Sequence, residues 1–592
     1  MGDCSGVRSS YGDEPVRTNA VQYGLDPKRC NPMNVQFGNA NPTRRVVFAV
    51  ALPVAAILVC VPTQQLLRAN GTPGSPVGAG STQTTDECTG SAEVVCTESG
   101  GVRGTVSGGV RAFKGIPYVK PPVGELRFRP PQPADRWQGI RAADQFGPVC
   151  PQLASKAVIG SEDCLTLNIW TPARPSAAPL PVMVWVTGGG NHGLSGAGTA
   201  GFGGVVYDGS LMVERGGVVF VTYNLRLGVL GFLAHPALDR ERPERVSGNY
   251  GSLDQIAMLQ WLQRNIRQFG GDPGRVFLFG TSAGGGNICA LMTSPMAQGL
   301  FHGASMQSSV PTGCELQTLT ELEQRTGTRV AAATGCADRA DIAACLRSQS
   351  VDQIVAAVPG VTDIFPRLYG PNVDGWVFPE QPVKLIESKR YRSMPVIIGN
   401  TADETRGFVN AVGPVPDSAS YAAAVTRLFG EPRRDAILAR YPAASFATPR
   451  AALEAATTDA YFSCTTRRIA RVLRSAQNEP VYRYFFSQVP ETDPQRRAGG
   501  AGHTVEHPFL FAWSGKYVPS DSERKLQDAM VLYWSSMART GDPNGSGRPT
   551  WPRYDADVDS YLELAIPPRP GNALHKNQCD FWDSVPLPRP HL

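Results

Sequence analysis

The chain has 592 residues, a hydrophobic fraction of 42% and a formal net charge of +5, enough apolar content for a large core and little charge for the size. Lys and Arg fall in scattered pairs such as Arg433-Arg434 and Arg467-Arg468, which suits solvated surface and excludes nucleic acid as a partner. No linker, charge block or internal repeat divides the stretch from Val94 to Trp582. One compact unit is therefore expected, in place of the several domains that length alone would suggest at about 150 residues each.

In chain order, residues 1–45 form a polar N-terminal extension. Val46 to Val61 is an apolar run directly after Arg44-Arg45, interrupted by Pro53. It falls short of the ~20 residues that span a bilayer comfortably, so it reads as a signal-peptide segment in preference to a signal anchor. Either use implies export, to the outside or the cell envelope, and an anchor would associate the protein with a membrane. Thr43-Arg44-Arg45 only partly matches a twin-arginine signal. Residues 62–90, rich in Gly, Thr, Ser and Pro from Asn70 on, read as a flexible linker. Residues 91–592 are then the folded domain. Its oligomeric state is not legible.

None of the 13 cysteines forms a C-x-x-C pair or neighbours a His cluster, so neither a metal nor a cofactor is expected and disulfides are the natural use. Cys150 and Cys164 would close a loop of about 15 residues, worth roughly 3 kcal/mol on the chain-entropy model.

Val102 to Phe113 alternates in short runs broken by glycine, as hairpins do. Leu165 to Trp170 reads as a further strand. Val182–Val186 and Val218–Thr222 are continuous apolar runs of the kind buried on both faces of a parallel sheet. Ile256, Leu259, Leu262 and Ile266 then recur at helical spacing, and Val276–Phe279 follows as a strand. Val396–Gly399 and Val481–Phe486 complete the set. The alternation predicts an α/β fold with a large mixed sheet, whose chemistry belongs at the carboxyl ends of the strands.

Three of those ends carry candidate residues. Gly280-Thr281-Ser282-Ala283-Gly284 stands between the strand and a helix-like run, Asn287 to Met292, which is the setting of the G-x-S-x-G nucleophile elbow. Thr187-Gly188-Gly189-Gly190-Asn191 leaves backbone N–H groups free to face an oxyanion. Gly188, Gly190 and Gly193 also fit a dinucleotide fingerprint, but no helix pattern opens at Gly193 and the next strand ends in Asn224. Glu404 follows the strand Val396–Gly399, with Asp403 beside it and Asp374 as a rival acid, each of these two suited to a turn. His503 lies behind the loop Gly499-Gly500-Ala501-Gly502, whereas His507 precedes Pro508 and suits packing. Ser282, Glu404 and His503 give the order serine, acid, histidine of the α/β-hydrolases.

These residues resemble the type-B carboxylesterase/lipase family, to which the cholinesterases belong, from about Val94 to Trp582. Phe113–Tyr118 with Pro121–Phe128, Glu162–Asn168, and Gly248–Gly251 through Asp254, Gln255, Trp261, Asn265 and Phe269–Pro273 carry the likeness. The resemblance implies an α/β-hydrolase fold: a large central, mostly parallel mixed sheet flanked by helices, with a small N-terminal antiparallel sheet. It implies a serine carboxylesterase working on a small-molecule ester through an acyl-enzyme, with Ser282 as nucleophile, His503 as base and acid, Glu404 orienting His503, and the N–H groups of Gly189, Gly190 and Ala283 as oxyanion hole. It also implies the disulfides Cys150–Cys164, Cys336–Cys345 and Cys464–Cys579. We pair Cys88 with Cys96, and leave Cys289 and Cys314 unassigned.

Two departures stand out. Relatives carry Glu where this chain has Thr281, and an aromatic where it has Asn191, changes that point to modest activity or an unusual ester. The loop between Cys150 and Cys164 is too short for the aromatic-bearing loop of cholinesterases, so no cholinesterase activity is expected. The alternative from another class is a non-catalytic, cholinesterase-like binding or adhesion module, which the presence of all three triad types opposes.

Overall fold

Alternate side chains of the central strands face opposite ways and so build two cores. In a computed structural model, which describes residues 91, 93–198, 206–309, 314–359, 369–512 and 517–585, Val182, Val184 and Val186 join one core and Met183 and Trp185 the other. Apolar residues at every position of this strand are what burial on both faces requires.

Among the described residues the central sheet has eleven strands. In chain order they are β1 (Thr105–Ser107), β2 (Val110–Pro117), β3 (Thr166–Pro172), β4 (Leu180–Val186), β5 (Val219–Tyr223), β6 (Gly271–Thr281), β7 (Gly303–Gln307), β8 (Val396–Thr401), β9 (Val481–Phe486), β10 (Tyr561–Leu564) and β11 (Arg569–Gly571). Across the sheet they run β1-β2-β3-β5-β4-β6-β7-β8-β9-β10-β11. The pairings from β5 with β4 through to β9 with β10 are parallel, and those toward the two edges are antiparallel. A small sheet pairs Val94–Thr97 with Gly100–Arg103 antiparallel and adds Ile140–Ala142 parallel to the latter.

Helices cover both faces. α1 (Tyr250–Asn265) and α2 (Ala283–Thr293) supply Leu259, Leu262, Ile288 and Leu291 to the first core, with Ile469 and Leu473 of α3 (Cys464–Ala476). α4 (Asp521–Thr540) covers the second face with Met530 and Trp534. A Ser520–Glu523 capping box starts α4, and Gly541 at φ 73° ends it. A third core gathers the helices Ser418–Phe429, Glu431–Arg440 and Pro449–Thr458 around Trp582 of the helix Lys576–Ser584. The buried pair of Arg226 with Asp254 locks α1 to the loop after β5, at 2.7 and 2.9 Å.

Disulfides join Cys150 to Cys164, Cys336 to Cys345 and Cys464 to Cys579. Cys289 of α2 and Cys314, unassigned from sequence, also pair with each other. Nothing in their spacing announced it, because the contact depends on how the chain after β7 folds back on α2. Cys96 is disulfide-bonded, and Cys88 lies outside the described residues, as do 1–90 as a whole, with the apolar segment 46–61. Among the described residues no helix is long and apolar enough to cross a membrane.

Candidate active site

The order of strands reverses between β5 and β6, which lie on either side of β4, and clefts at the carboxyl ends of such strands are where α/β proteins bind ligands. Ser282 sits there, between β6 and α2, with φ 62° and ψ −126°, a conformation a β-carbon disfavours. The flanking glycines explain how the chain reaches it. A Cβ on Gly280 would stand 2.3 Å from the carbonyl oxygen of Val186, and one on Gly284 2.1 Å from the same atom. Only hydrogen fits at either place. The Ser282 N–H donates to the Gln307 carbonyl at 2.9 Å and fixes the turn against β7.

The triple glycine follows β4 and lies against this elbow: a Cβ on Gly188 would be 3.2 Å from that of Ser282. Gly189 and Gly190 both take left-handed backbone angles, φ 74° and 64°. Ala283 opens α2, so its N–H has no partner within the helix. Gly188 and Ala283 thus border Ser282 from two chain segments, with Gly189 and Gly190 following directly on Gly188.

Glu404, three residues beyond the end of its strand pairing, is fully buried. Its Oε1 accepts the Thr401 N–H at 2.7 Å, and its Oε2 lies 2.5 Å from His503 Nδ1. The rings of Phe408 and Phe462 flank the imidazole at 5.1 and 5.5 Å between centroids. Phe462 is carried by a π-turn, Asp459–Ser463, a local widening that often marks functional sites. His503 Nε2 is buried and without a hydrogen-bond partner, so the structure joins Glu404 to His503 and leaves the bond from His503 to Ser282 unmade. Catalytic hydrogen bonds commonly close only when substrate is bound.

The rival residues have other occupations. Asp374 accepts the N–H groups of Trp376, Val377 and Phe378 and the Asn249 amide, the work of a turn. Asp403 exchanges backbone and side-chain bonds with Ala501 at 2.9 and 2.8 Å and so holds the loop that carries His503. His507 packs between Trp185 and Tyr207, and burial pushes its imidazole down to about 3. Among the described residues no group of His, Cys, Asp and Glu is placed to hold a metal ion.

Some neighbours of the site were not legible in the sequence. Glu506 is fully buried and receives the Thr281 hydroxyl at 3.4 Å, while its Oε2 has no partner. Burial, with the Glu404 charge adding to it, raises its carboxyl to about 7. Asn191, at φ 64°, accepts the Asn287 amide at 2.8 Å. The next residue, His192, folds over Gly190 with Nδ1–H donating to the Gly190 carbonyl at 3.1 Å, and burial lowers its pKa. Asn191 was marked in the sequence as a departure from the family pattern, whereas for Glu506 and His192 the only signal was adjacency to the motifs.

A reversing, mostly parallel sheet with a strained serine between strand and helix, and a buried acid–imidazole pair two strands away, defines an α/β-hydrolase that cleaves carboxylic esters with a serine. The chain belongs to the carboxylesterase family, whose model matches residues 91–582. It is 39% identical over 462 residues to a fumonisin B1 esterase of Sphingopyxis macrogoltabida, covering 75% of this chain and 81% of that one. It is 35% identical over 509 residues to an acylcarnitine hydrolase of Mus musculus, covering 79% and 86%. A solved PNB esterase superposes with a TM-score of 0.71 at 31% identity, over 83% of this chain and 99% of its own.

Proposed function

We propose that ester cleavage here runs through Ser282, with His503 as its base and acid and Glu404 as the group that orients His503. The observation that carries this reading is the 2.5 Å contact between Glu404 Oε2 and His503 Nδ1. With the Nδ1 proton facing the carboxylate, Nε2 is the lone-pair nitrogen. As Ser282 Oγ bonds to the ester carbonyl carbon, Nε2 takes the hydroxyl proton. The carbonyl oxygen becomes an anion facing the N–H groups of Gly189, Gly190 and Ala283. Collapse of the tetrahedral species breaks the bond to the alcohol oxygen, and His503 returns its proton to the leaving alcohol. Water repeats the sequence on the acyl-enzyme and releases the acid.

The substrate class we propose is a small-molecule ester outside the choline esters. With a fumonisin B1 esterase among the similar proteins, and with Asn191 where relatives place an aromatic, fumonisin B1 belongs in the substrate panel beside p-nitrophenyl esters of graded chain length. We also propose export, to the outside or the cell envelope, with residues 46–61 as signal or anchor. The four disulfides between described residues are compatible with it.

A fluorophosphonate probe followed by peptide mapping tests the assignment. Labelling of Ser282, lost in Ser282→Ala together with esterase activity, is the expected result. Labelling of another serine, or activity that survives the substitution, would overturn it.

A further inference from the structure

Gln152 lies two residues after Cys150, at the base of the loop that the Cys150–Cys164 disulfide closes, and its side chain is buried. Both ends of its amide are spent on one distant residue. Oε1 accepts the Leu194 N–H at 2.8 Å, and Nε2 donates to the Leu194 carbonyl at 3.1 Å, with a second bond to the Cys150 carbonyl at 3.0 Å. A side-chain amide that meets both the donor and the acceptor of one residue fixes that residue's backbone as a neighbouring strand would.

Leu194 needs such a hold. Its φ is 80°, a left-handed angle that a branched, bulky side chain disfavours. Its side chain covers Gly189: a Cβ on that glycine would stand 2.9 Å from Leu194 Cγ and 3.1 Å from Cδ1. The Gly189 carbonyl is held on its other side by the N–H groups of His192 and Gly193, each at 3.2 Å. The direction of the peptide N–H groups at Gly189 and Gly190 therefore depends on where Leu194 is kept.

We infer that Gln152 is a positioning residue for the oxyanion hole, acting through Leu194 on Gly189, so that the disulfide-closed loop 150–164 is part of the support of the catalytic donors. The inference rests on Gly189 and Gly190 serving as those donors. Donors aimed at the developing anion act in the transition state and contribute little to substrate binding. Loosening them lowers kcat and spares KM. A residue that merely completes the fold would instead change the amount of active enzyme.

The test is Gln152→Met, close in size and without hydrogen-bonding capacity, assayed on a p-nitrophenyl ester with active sites counted by fluorophosphonate labelling. Per labelled site, kcat is expected to fall about 10- to 100-fold with KM within about twofold. The affinity of a trifluoromethyl ketone, which serine converts into a tetrahedral oxyanion, should fall by the same factor. A kcat per labelled site within about twofold of the parent, or a raised KM with unchanged kcat and ketone affinity, would overturn the inference. Should Gln152→Met fail to fold, Leu194→Gly decides. It accepts the left-handed angle, keeps the bonds to Gln152 and removes the cover from Gly189, and the same split between kcat and KM is expected. An unchanged kcat in that variant would overturn the inference. Activity retained in Ser282→Ala would instead overturn the underlying assignment, and so the two failures are distinguishable.

Discussion

The Thr281 hydroxyl points at the Glu506 carboxyl, 3.4 Å away, directly behind the nucleophile and three residues past His503. Where the family resemblance leads one to expect a glutamate, Thr281 instead presents a hydroxyl that donates to the buried Glu506. Glu506 is thus a carboxyl group in a place too poorly solvated for easy ionisation, with the Glu404 charge opposing it further.

That arrangement sets a pH dependence of stability. The Glu506 carboxyl titrates at about 7 in the folded protein against an ordinary 4.5, so between those values the folded state holds a proton that the unfolded state has lost. Stability should then fall as pH rises from 4.5 to 7 and level off above, by at most about 3 kcal/mol. Urea midpoints at pH 5 and pH 8 check this. In Glu506→Gln the fall between the two should shrink, and an unchanged difference would remove Glu506 as its source.

Glu404→Gln should leave the fold intact and lower kcat by about 10³- to 10⁴-fold, the scale of losing the tautomer control of a catalytic imidazole. Its amide can meet either the Nδ1 proton or the lone pair, so the free nitrogen no longer has a fixed state. Pre-steady-state acylation with a p-nitrophenyl ester is the measurement. A loss under tenfold would mean that another acid orients His503.

Gly190→Ala would set a Cβ 2.4 Å from His192 Cε1 at a backbone angle that glycine alone accepts easily. The expected loss is about 10²- to 10³-fold in kcat with a smaller change in KM. Adding His192→Ala should recover part of it, since the clash is relieved while the strain in φ stays. Additive losses in the double variant would show that the imidazole is not what a side chain at this position meets.

Cys464 and Cys579 tie α3 to the helix Lys576–Ser584. Replacing both by serine is expected to cost about 2–5 kcal/mol of stability, read as a lower urea midpoint. Cys464 is two residues beyond Phe462, one of the rings that flank His503, so kcat should fall with temperature earlier than global unfolding does. Parallel loss of activity and fold would place the damage in the whole domain.

Much of this was legible in the chain because the local pattern and the tertiary environment agree. Val182–Val186 and Val276–Phe279 are apolar at every position and became strands buried on both faces. The elbow could be read because Gly280 and Gly284 answer one steric demand. β7 escaped notice, since Gly303-Ala304-Ser305-Met306-Gln307 has little apolar bulk and is a strand by virtue of β6 and β8 beside it. Gln152, Glu506 and the Cys289–Cys314 bond act across distances along the chain that no motif spans. The order of triad types gave candidates, and the geometry supplied the contact of Glu404 with His503.

The Val186 carbonyl lies where a methyl group on either neighbour of the Thr281-Ser282-Ala283 core would have to go, which shuts both flanks of the nucleophile to variation. New ester preferences must then arise outside Gly280 to Gly284, and leave the elbow as an inherited constant.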